Sequence, residues 1–299
     1  MSGGRNGVTF GALSRPRFEL IPTEGAIGQT THLPEDAKVA VTCSPTQGIE
    51  ATLRFSEELL GNGFEAVPHL AARLVAGGAH LEDIAQQLED LNIEEIFVIG
   101  GDAREPAGPY SSAFELLSAL AETGRRFERV GIGGYPEGHP AIEDEALRRA
   151  LLEKRPFATY IVSQMCFDAG AILGWVTDIR RWGVDLPVYV GIPGVAEWKK
   201  LLRISLKIGV GGSTRYLTKH ANLVARLLKP GGYSPEELVR GLAPNVGDPD
   251  YDIAGFHIYT FNQVQSTEDW RRRMLQLERT GSGIGQPQRD RGDESNEGV

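Results

Sequence analysis

Arg17-Phe18-Glu19-Leu20-Ile21-Pro22-Thr23-Glu24-Gly25 opens with a short apolar run that carries one acid, Glu19, and closes on a proline and a glycine. Alternation puts Arg17, Glu19 and Ile21 on one face of a strand and Phe18 and Leu20 on the other. A strand acid can simply turn outward and pair with Arg17 or another surface base. If the run is instead the first strand of a closed barrel, one face is the lumen, where a carboxylate is costly to ionise. The pKa of Glu19 then rises toward the range in which a carboxyl donates a proton near neutral pH.

Working outward, β-rich runs recur near 17–21, 38–42, 64–69, 95–99, 128–134, 158–164, 187–191 and 254–259. Ile-Phe-Val-Ile, Val-Tyr-Val-Gly-Ile and Phe-His-Ile-Tyr are the continuous apolar runs of parallel strands covered by helices. Amphipathic helices are expected between them, for example Ile49–Leu60, Ser111–Glu122 and Ala169–Trp182, each closed by a glycine one or two residues on. Strand and helix alternating eight times predict a (β/α)8 TIM barrel, since right-handed crossovers close the sheet and cover it. The alternative, an open doubly wound sheet, lacks its dinucleotide fingerprint: Gly131-Ile-Gly133-Gly134-Tyr135-Pro136 has proline where the third glycine belongs. The longest interval lies between the seventh and eighth strands. Extra helices are expected there over Thr214–Leu228 and Pro235–Leu242.

The 299 residues suffice for one such barrel, expected over 16–280, with a flexible arm at 1–15 and a polar tail at 281–299. A net charge of −9 argues against a broad nucleic-acid or anionic-membrane surface. The sequence has neither an apolar stretch of about 18 residues nor an apolar signal core over Met1–Gly7, which places the protein in the cytoplasm. Two cysteines, Cys43 and Cys166, give no disulfide framework and no zinc spacing. A homo-oligomer is compatible with the chain, the long interval after the seventh strand offering an interface or a lid.

In such a barrel the reactive groups sit where the strands end. Those ends carry Thr42-Cys43-Ser44, Pro68-His69, Gly100-Gly101-Asp102, Tyr135-Pro136-Glu137-Gly138-His139, Ser163-Gln164, Gly191-Ile192-Pro193-Gly194 and Tyr259-Thr260-Phe261-Asn262. No pair has metal-ligand spacing, and no serine or cysteine stands beside an obvious base. The rim suits a flat, nitrogen-rich heterocycle. Asp102 can accept two N–H bonds, Gln164 can donate and accept, and an aromatic such as Tyr259 can stack on the ring. Each has a plain structural reading as well: a capping Asp, a core histidine, a strand Gln satisfied by backbone. Glu65 shares strand parity with His69 but lies near the opposite end, where a structural ion pair is its expected role.

Across about residues 15–275 the chain resembles the methylenetetrahydrofolate reductase family. Phe18-Glu19-Leu20-Ile21-Pro22, Pro68-His69-Leu70, Gly101-Asp102, Tyr135-Pro136-Glu137-Gly138-His139-Pro140, Gln164-Met165-Cys166-Phe167-Asp168 and Gly191-Ile192-Pro193 match the family's blocks in order. The resemblance implies a (β/α)8 oxidoreductase that reduces 5,10-methylenetetrahydrofolate to 5-methyltetrahydrofolate with electrons from a nicotinamide, in one-carbon metabolism. By the same resemblance Glu19 is the acid that helps open the five-membered ring. Asp102 holds the pterin and stabilises the developing cation, and Gln164 hydrogen-bonds the pterin.

Most members of the family pass hydride through FAD, and here the sequence departs. Gly100 replaces the arginine before Gly-Asp, and Glu153 stands where flavin-binding members place a phosphate-contacting lysine, with Lys154 adjacent. Fewer cations around a pyrophosphate weaken its attraction. The expectation is therefore the flavin-independent branch known from mycobacteria, in which NADH gives its hydride directly to the folate. Thr42, His69, Tyr110, Tyr135 and His139 are the expected lining of the nicotinamide space, and Gly209–Thr214 a possible phosphate turn. FAD as carrier, a deazaflavin-dependent reductase and a non-catalytic folate-binding subunit are the alternatives.

Overall fold

The structure is a computed structural model that describes residues 11–139, 141–195 and 234–279. Eight strands close on themselves: β1 (Arg17–Leu20), β2 (Lys38–Val41), β3 (Glu65–Ala71), β4 (Glu95–Ile99), β5 (Arg129–Gly134), β6 (Tyr160–Ser163), β7 (Val188–Pro193) and β8 (Ile253–Tyr259). Each pairs in parallel with the next, and β8 pairs with β1. Around them stand α1 (Gly48–Gly61), α2 (Gly78–Asp90), α3 (Ala113–Glu122), α4 (Asp144–Lys154), α5 (Ala169–Arg181), α6 (Glu236–Leu242) and α7 (Val264–Arg279). This is the (β/α)8 TIM barrel that the sequence predicts. The helix expected over Thr214–Leu228, the Gly209–Thr214 turn and the 281–299 tail lie outside the described residues.

Two strands run past their expected ends because their neighbours continue the ladder. Leu70 and Ala71 pair with Val98 and Ile99, and Ile192 and Pro193 pair with Ile258 and Tyr259. His69 and Gly191-Ile192-Pro193 therefore lie within strands rather than beyond them. Local signals set the helix starts. Ser112 and Glu115 form a reciprocal capping box on α3, and Asp168 accepts from the Ala171 N–H to cap α5.

The pleat of β1 decides what the barrel holds. Phe18 and Leu20 point outward and are fully buried against the helices, in one core with Val39, Ile96, Val98, Val190 and Ile258. Each such side chain contributes roughly 1.5–3 kcal/mol. Arg17 and Glu19 point inward. At the base of the lumen Arg17 donates to Glu95 Oε1 at 2.5 Å, and its guanidinium carbon lies 4.3 and 4.1 Å from the Tyr160 and Tyr189 ring centroids. Gly131 makes room for this: a Cβ there would lie 2.3 Å from the Tyr160 ring. Lys38 also reaches Glu95, at 2.5 Å, and pairs with Glu65 at 2.8 Å. Glu65 is thus a half-exposed ion-pair member at the base, and the acid enclosed by the base of the barrel is Glu95. Above this plug Ala40, Val67, Phe97, Tyr160 and Val162 form a small apolar layer.

The end of the expected N-terminal arm is tied down. Leu13 is fully buried, and Arg271 of α7 donates to the carbonyls of Leu13 and Ser14. Among the described residues no helix is long and apolar enough to cross a membrane.

Candidate active site

Glu19 lies in the upper lumen with 13% of its side chain exposed. Its Oε2 is 3.1 Å from His257 Nε2 on β8 and 3.9 Å from His69 Nε2 on β3. Burial pushes the Glu19 carboxyl up to about 7, opposed only in part by His69. Burial likewise holds both imidazoles neutral: His69 falls to about 4, and His257, further depressed by the Arg17 charge, to about 3. A carboxyl between two neutral rings has no fixed cation to keep it ionised, so its proton is exchangeable near pH 7.

Aromatic contacts line the cage. The His69 and Phe97 rings are tilted at 48° with centroids 4.7 Å apart, and His257 meets Tyr259 edge-on at 4.9 Å. The Tyr259 hydroxyl donates to the Ser163 carbonyl at 3.1 Å, and burial followed by the Glu19 charge raises its pKa far above the ordinary phenol. Behind Glu19, its carbonyl accepts from the Thr260 hydroxyl at 2.6 Å, while the Asn262 carboxamide brackets the Ile21 N–H and carbonyl. Thr260 and Asn262, rim groups in the sequence reading, are thus occupied in fixing β1 to the end of β8.

Asp102 is exposed on the β4–α3 loop and acts electrostatically on Tyr135 and His139, whose rings meet edge-on at 5.6 Å. Tyr135 in turn acts electrostatically on Tyr259, so the Asp102 rim and the Glu19 cage lie at the same end of the barrel within electrostatic reach of one another. The Asp102 loop is held by a residue the sequence reading passed over. Arg73 donates to the Ala103, Arg104 and Ser111 carbonyls at 2.6, 2.7 and 3.1 Å. Gln164 is half-buried, and its Oε1 accepts from the Met165 N–H at 2.9 Å, leaving its Nε2 to donate to a ligand. Glu137 accepts from the Phe167 and Asp168 N–H groups and so ties the β5 loop to the β6 loop.

Among the residues expected to line a nicotinamide, His69, Tyr135 and His139 are at this mouth. Thr42 stands at the end of β2, with its hydroxyl buried and unpartnered and its carbonyl accepting from Thr52. Tyr110 is half-buried against the hydrophobic core, beside Ser111, whose carbonyl accepts from Arg73. Cys43 and Cys166 are buried, and burial raises both thiols. The cation count at the β5 end also changes. Glu153 is exposed, but Lys154 is 8% exposed, donates to the Gly133 carbonyl at 3.2 Å, and is lowered by burial to about 8. His257 lies inside β8 rather than at its end, and its parity with Tyr259 is the signal in the sequence that turns it inward.

Fold and site together define a (β/α)8 barrel whose C-terminal end carries a buried, protonatable acid and an aromatic rim beside the exposed carboxylate of Asp102. The chain belongs to the methylenetetrahydrofolate reductase family: the model of that family, described as methylenetetrahydrofolate reductase, matches residues 38–211. Asp102, Gln164 and His69 lie within the match, while Glu19, His257 and Tyr259 flank it. Among similar curated proteins, methylenetetrahydrofolate reductase 1 of Schizosaccharomyces pombe is 31% identical over 83 residues, covering 27% of this chain and 14% of its own. Methylenetetrahydrofolate reductase (NADH) 1 of Arabidopsis thaliana is 26% identical over 146 residues, covering 42% and 25%. A probable methylenetetrahydrofolate reductase (NADPH) of Caenorhabditis elegans is 24% identical over 134 residues, covering 42% and 19%. The chain thus matches at most a quarter of the length of these relatives.

Proposed function

We propose that the protein reduces 5,10-methylenetetrahydrofolate to 5-methyltetrahydrofolate, with NADH giving its hydride directly to the folate. Glu19 donates a proton to the folate nitrogen as its bond to the bridging carbon breaks. The resulting iminium accepts hydride at that carbon, leaving a methyl group and NAD+. Asp102 accepts N–H bonds from the pterin edge and offsets the positive charge that develops, Gln164 donates to the ring through Nε2, and Tyr259 supports its face. His69, Tyr135 and His139 line the nicotinamide side, where donor and acceptor carbons must approach to about 3–3.5 Å.

The observation that supports this most is the Glu19 carboxyl, held between two neutral imidazoles with a pKa of about 7. A site that only bound folate has no use for a proton donor. Glu19→Gln is expected to lower turnover by about 10²–10⁴-fold while folate binding persists. Unchanged turnover rejects the acid.

FAD as intermediate carrier is the second reading, favoured by Lys154, a buried amine near the end of β5 that, among the described residues, has no carboxylate partner. Anaerobic turnover of methylenetetrahydrofolate after exhaustive flavin removal separates the two. Direct transfer predicts full activity in colourless protein with NADH, and a parallel assay with NADPH sets the donor. Recovery only on adding FAD overturns direct transfer.

A further inference from the structure

Glu19 has two carboxyl oxygens, and the lumen treats them differently. Oε2 faces His257 Nε2 at 3.1 Å and His69 Nε2 at 3.9 Å. His257 is 2% exposed, and its Nδ1 is buried with no hydrogen-bond partner. The ring therefore has one partnered and one unpartnered nitrogen, and being neutral it carries one N–H. A hydrogen at Nδ1 would be a buried donor without an acceptor, in the field of the Arg17 cation, whose backbone pairs in register with His257. A hydrogen at Nε2 is paired with Glu19 whether the carboxyl is ionised or protonated.

We propose that His257 is the positioning residue for the acid: as its Nε2–H tautomer it holds Glu19 Oε2 and leaves Oε1 to carry the proton that is transferred. This rests on the reading of Glu19 as proton donor. The bond has a second consequence. A donor to the carboxylate favours the ionised form, so His257 restrains the rise that burial imposes on Glu19. The other groups facing Glu19 are His69 from β3 and Tyr259 from β8, with Arg17 two residues earlier on β1 acting on the His257 ring. His69 and Tyr259 are neutral near pH 7, and His69 lies beyond hydrogen-bond reach, so His257 is the side chain that donates to the acid.

Two amide variants that differ by one methylene place the donor differently, and the free-protein midpoint separates positioning from packing. A Gln amide nitrogen reaches the place of Nε2, and an Asn amide nitrogen the place of Nδ1. Infrared-difference titration of the Glu19 carboxyl in the free protein, with Glu19→Gln identifying the band, gives its midpoint without substrate. The pH profile of kcat gives it under turnover. His257→Gln is expected to keep both midpoints within about half a unit, and His257→Asn to raise them by about 1–2 units while lowering kcat about 10-fold or more. Should both variants move the midpoint alike, or leave it unmoved, the positioning role is overturned. In the wild-type protein, ¹⁵N shifts of His257 should show a protonated Nε2 and a bare Nδ1, and the opposite tautomer overturns the proposal even if neither variant folds. Full turnover by Glu19→Gln would instead sink the acid reading itself, whatever His257 does.

Discussion

Two glutamates lie inside the same barrel, nearly equally enclosed, with 8% of the Glu95 side chain and 13% of the Glu19 side chain exposed. Their acidities move in opposite directions. At the base, desolvation would raise the Glu95 pKa, but the charges and hydrogen bonds of Arg17 and Lys38 overcome it and hold the carboxyl below the ordinary carboxylate value. At the mouth, two neutral imidazoles leave desolvation unopposed by any fixed charge, and Glu19 rises to about 7. Burial alone thus does not mark a reactive acid. The difference lies in the neighbours: the base fixes a charge in place, and the mouth keeps a proton available.

The comparison is broken most severely at the base. Glu95→Gln leaves Arg17, buried to 3% exposure, without its carboxylate, and a loss of about 3–5 kcal/mol in urea unfolding is expected. The sign with pH follows from the lowered pKa. The Glu95 contribution is present above the ordinary carboxylate pKa and is lost as pH falls through its lower folded value. The gap between wild type and variant should therefore close in acid, and a gap independent of pH would contradict the ion-pair account.

At the mouth the same substitution should act with the opposite sign. The folded pKa of Glu19 is raised from 4.5 to about 7, so its favourable contribution holds below 4.5 and is lost as pH rises through about 7. Glu19→Gln should therefore unfold at the same denaturant concentration as wild type near pH 4.5 and gain up to about 3 kcal/mol above pH 7, although turnover collapses. His69 and His257 run the other way in both proteins. Their lowered values mean that stability is lost as pH falls from 6.5 toward about 4 and about 3; the His257 part is common to both proteins, whereas His69, which the Glu19 charge raises, falls further in the variant, so the comparison is read above pH 6.5. A variant less stable than wild type at pH 8 would show that Glu19 is held by a cation the site does not present.

These contrasts also show what was legible from the chain. The parity of Arg17-Phe18-Glu19-Leu20 gave the barrel wall and the inward acid, because alternation is a local property and Phe18 and Leu20 had to face the helices. The positions of Asp102, Tyr135, His139 and Gln164 at the strand ends were legible because strand ends meet at one mouth whatever the side chains do. Glu95 and His257 were not found. Each is one inward residue in an apolar strand, and its partners lie far off along the chain: Glu19 is 238 residues from His257, and Arg17 is 78 from Glu95. Arg73 was hidden for a related reason, since its partners are backbone carbonyls and leave no mark in residue type. At the β5 end, residue types alone did not show that Lys154 is buried and its neighbour Glu153 exposed, since that is decided by how α4 packs on the barrel.

The smallest expected effect sharpens the difference between cage and rim. Arg73 supplies three donors to the loop that carries Asp102, and a lysine in its place can satisfy one of those carbonyls at a time. The loop would then sample positions in which Asp102 no longer meets the pterin edge, while Glu19, on a strand fixed from behind by Thr260 and Asn262 just after β8, stays in place. On the proposed reading Arg73→Lys should raise KM for the folate by about 10-fold, or about 1.4 kcal/mol, with kcat changed less than about 2-fold and the pH limb near 7 unmoved. Glu19→Gln should do the reverse, lowering kcat with binding retained. If Arg73→Lys lowered kcat and left KM alone, the loop would be acting on the acid rather than on the substrate, and the separation of the mouth into a proton-donating cage and a substrate-holding rim would not stand.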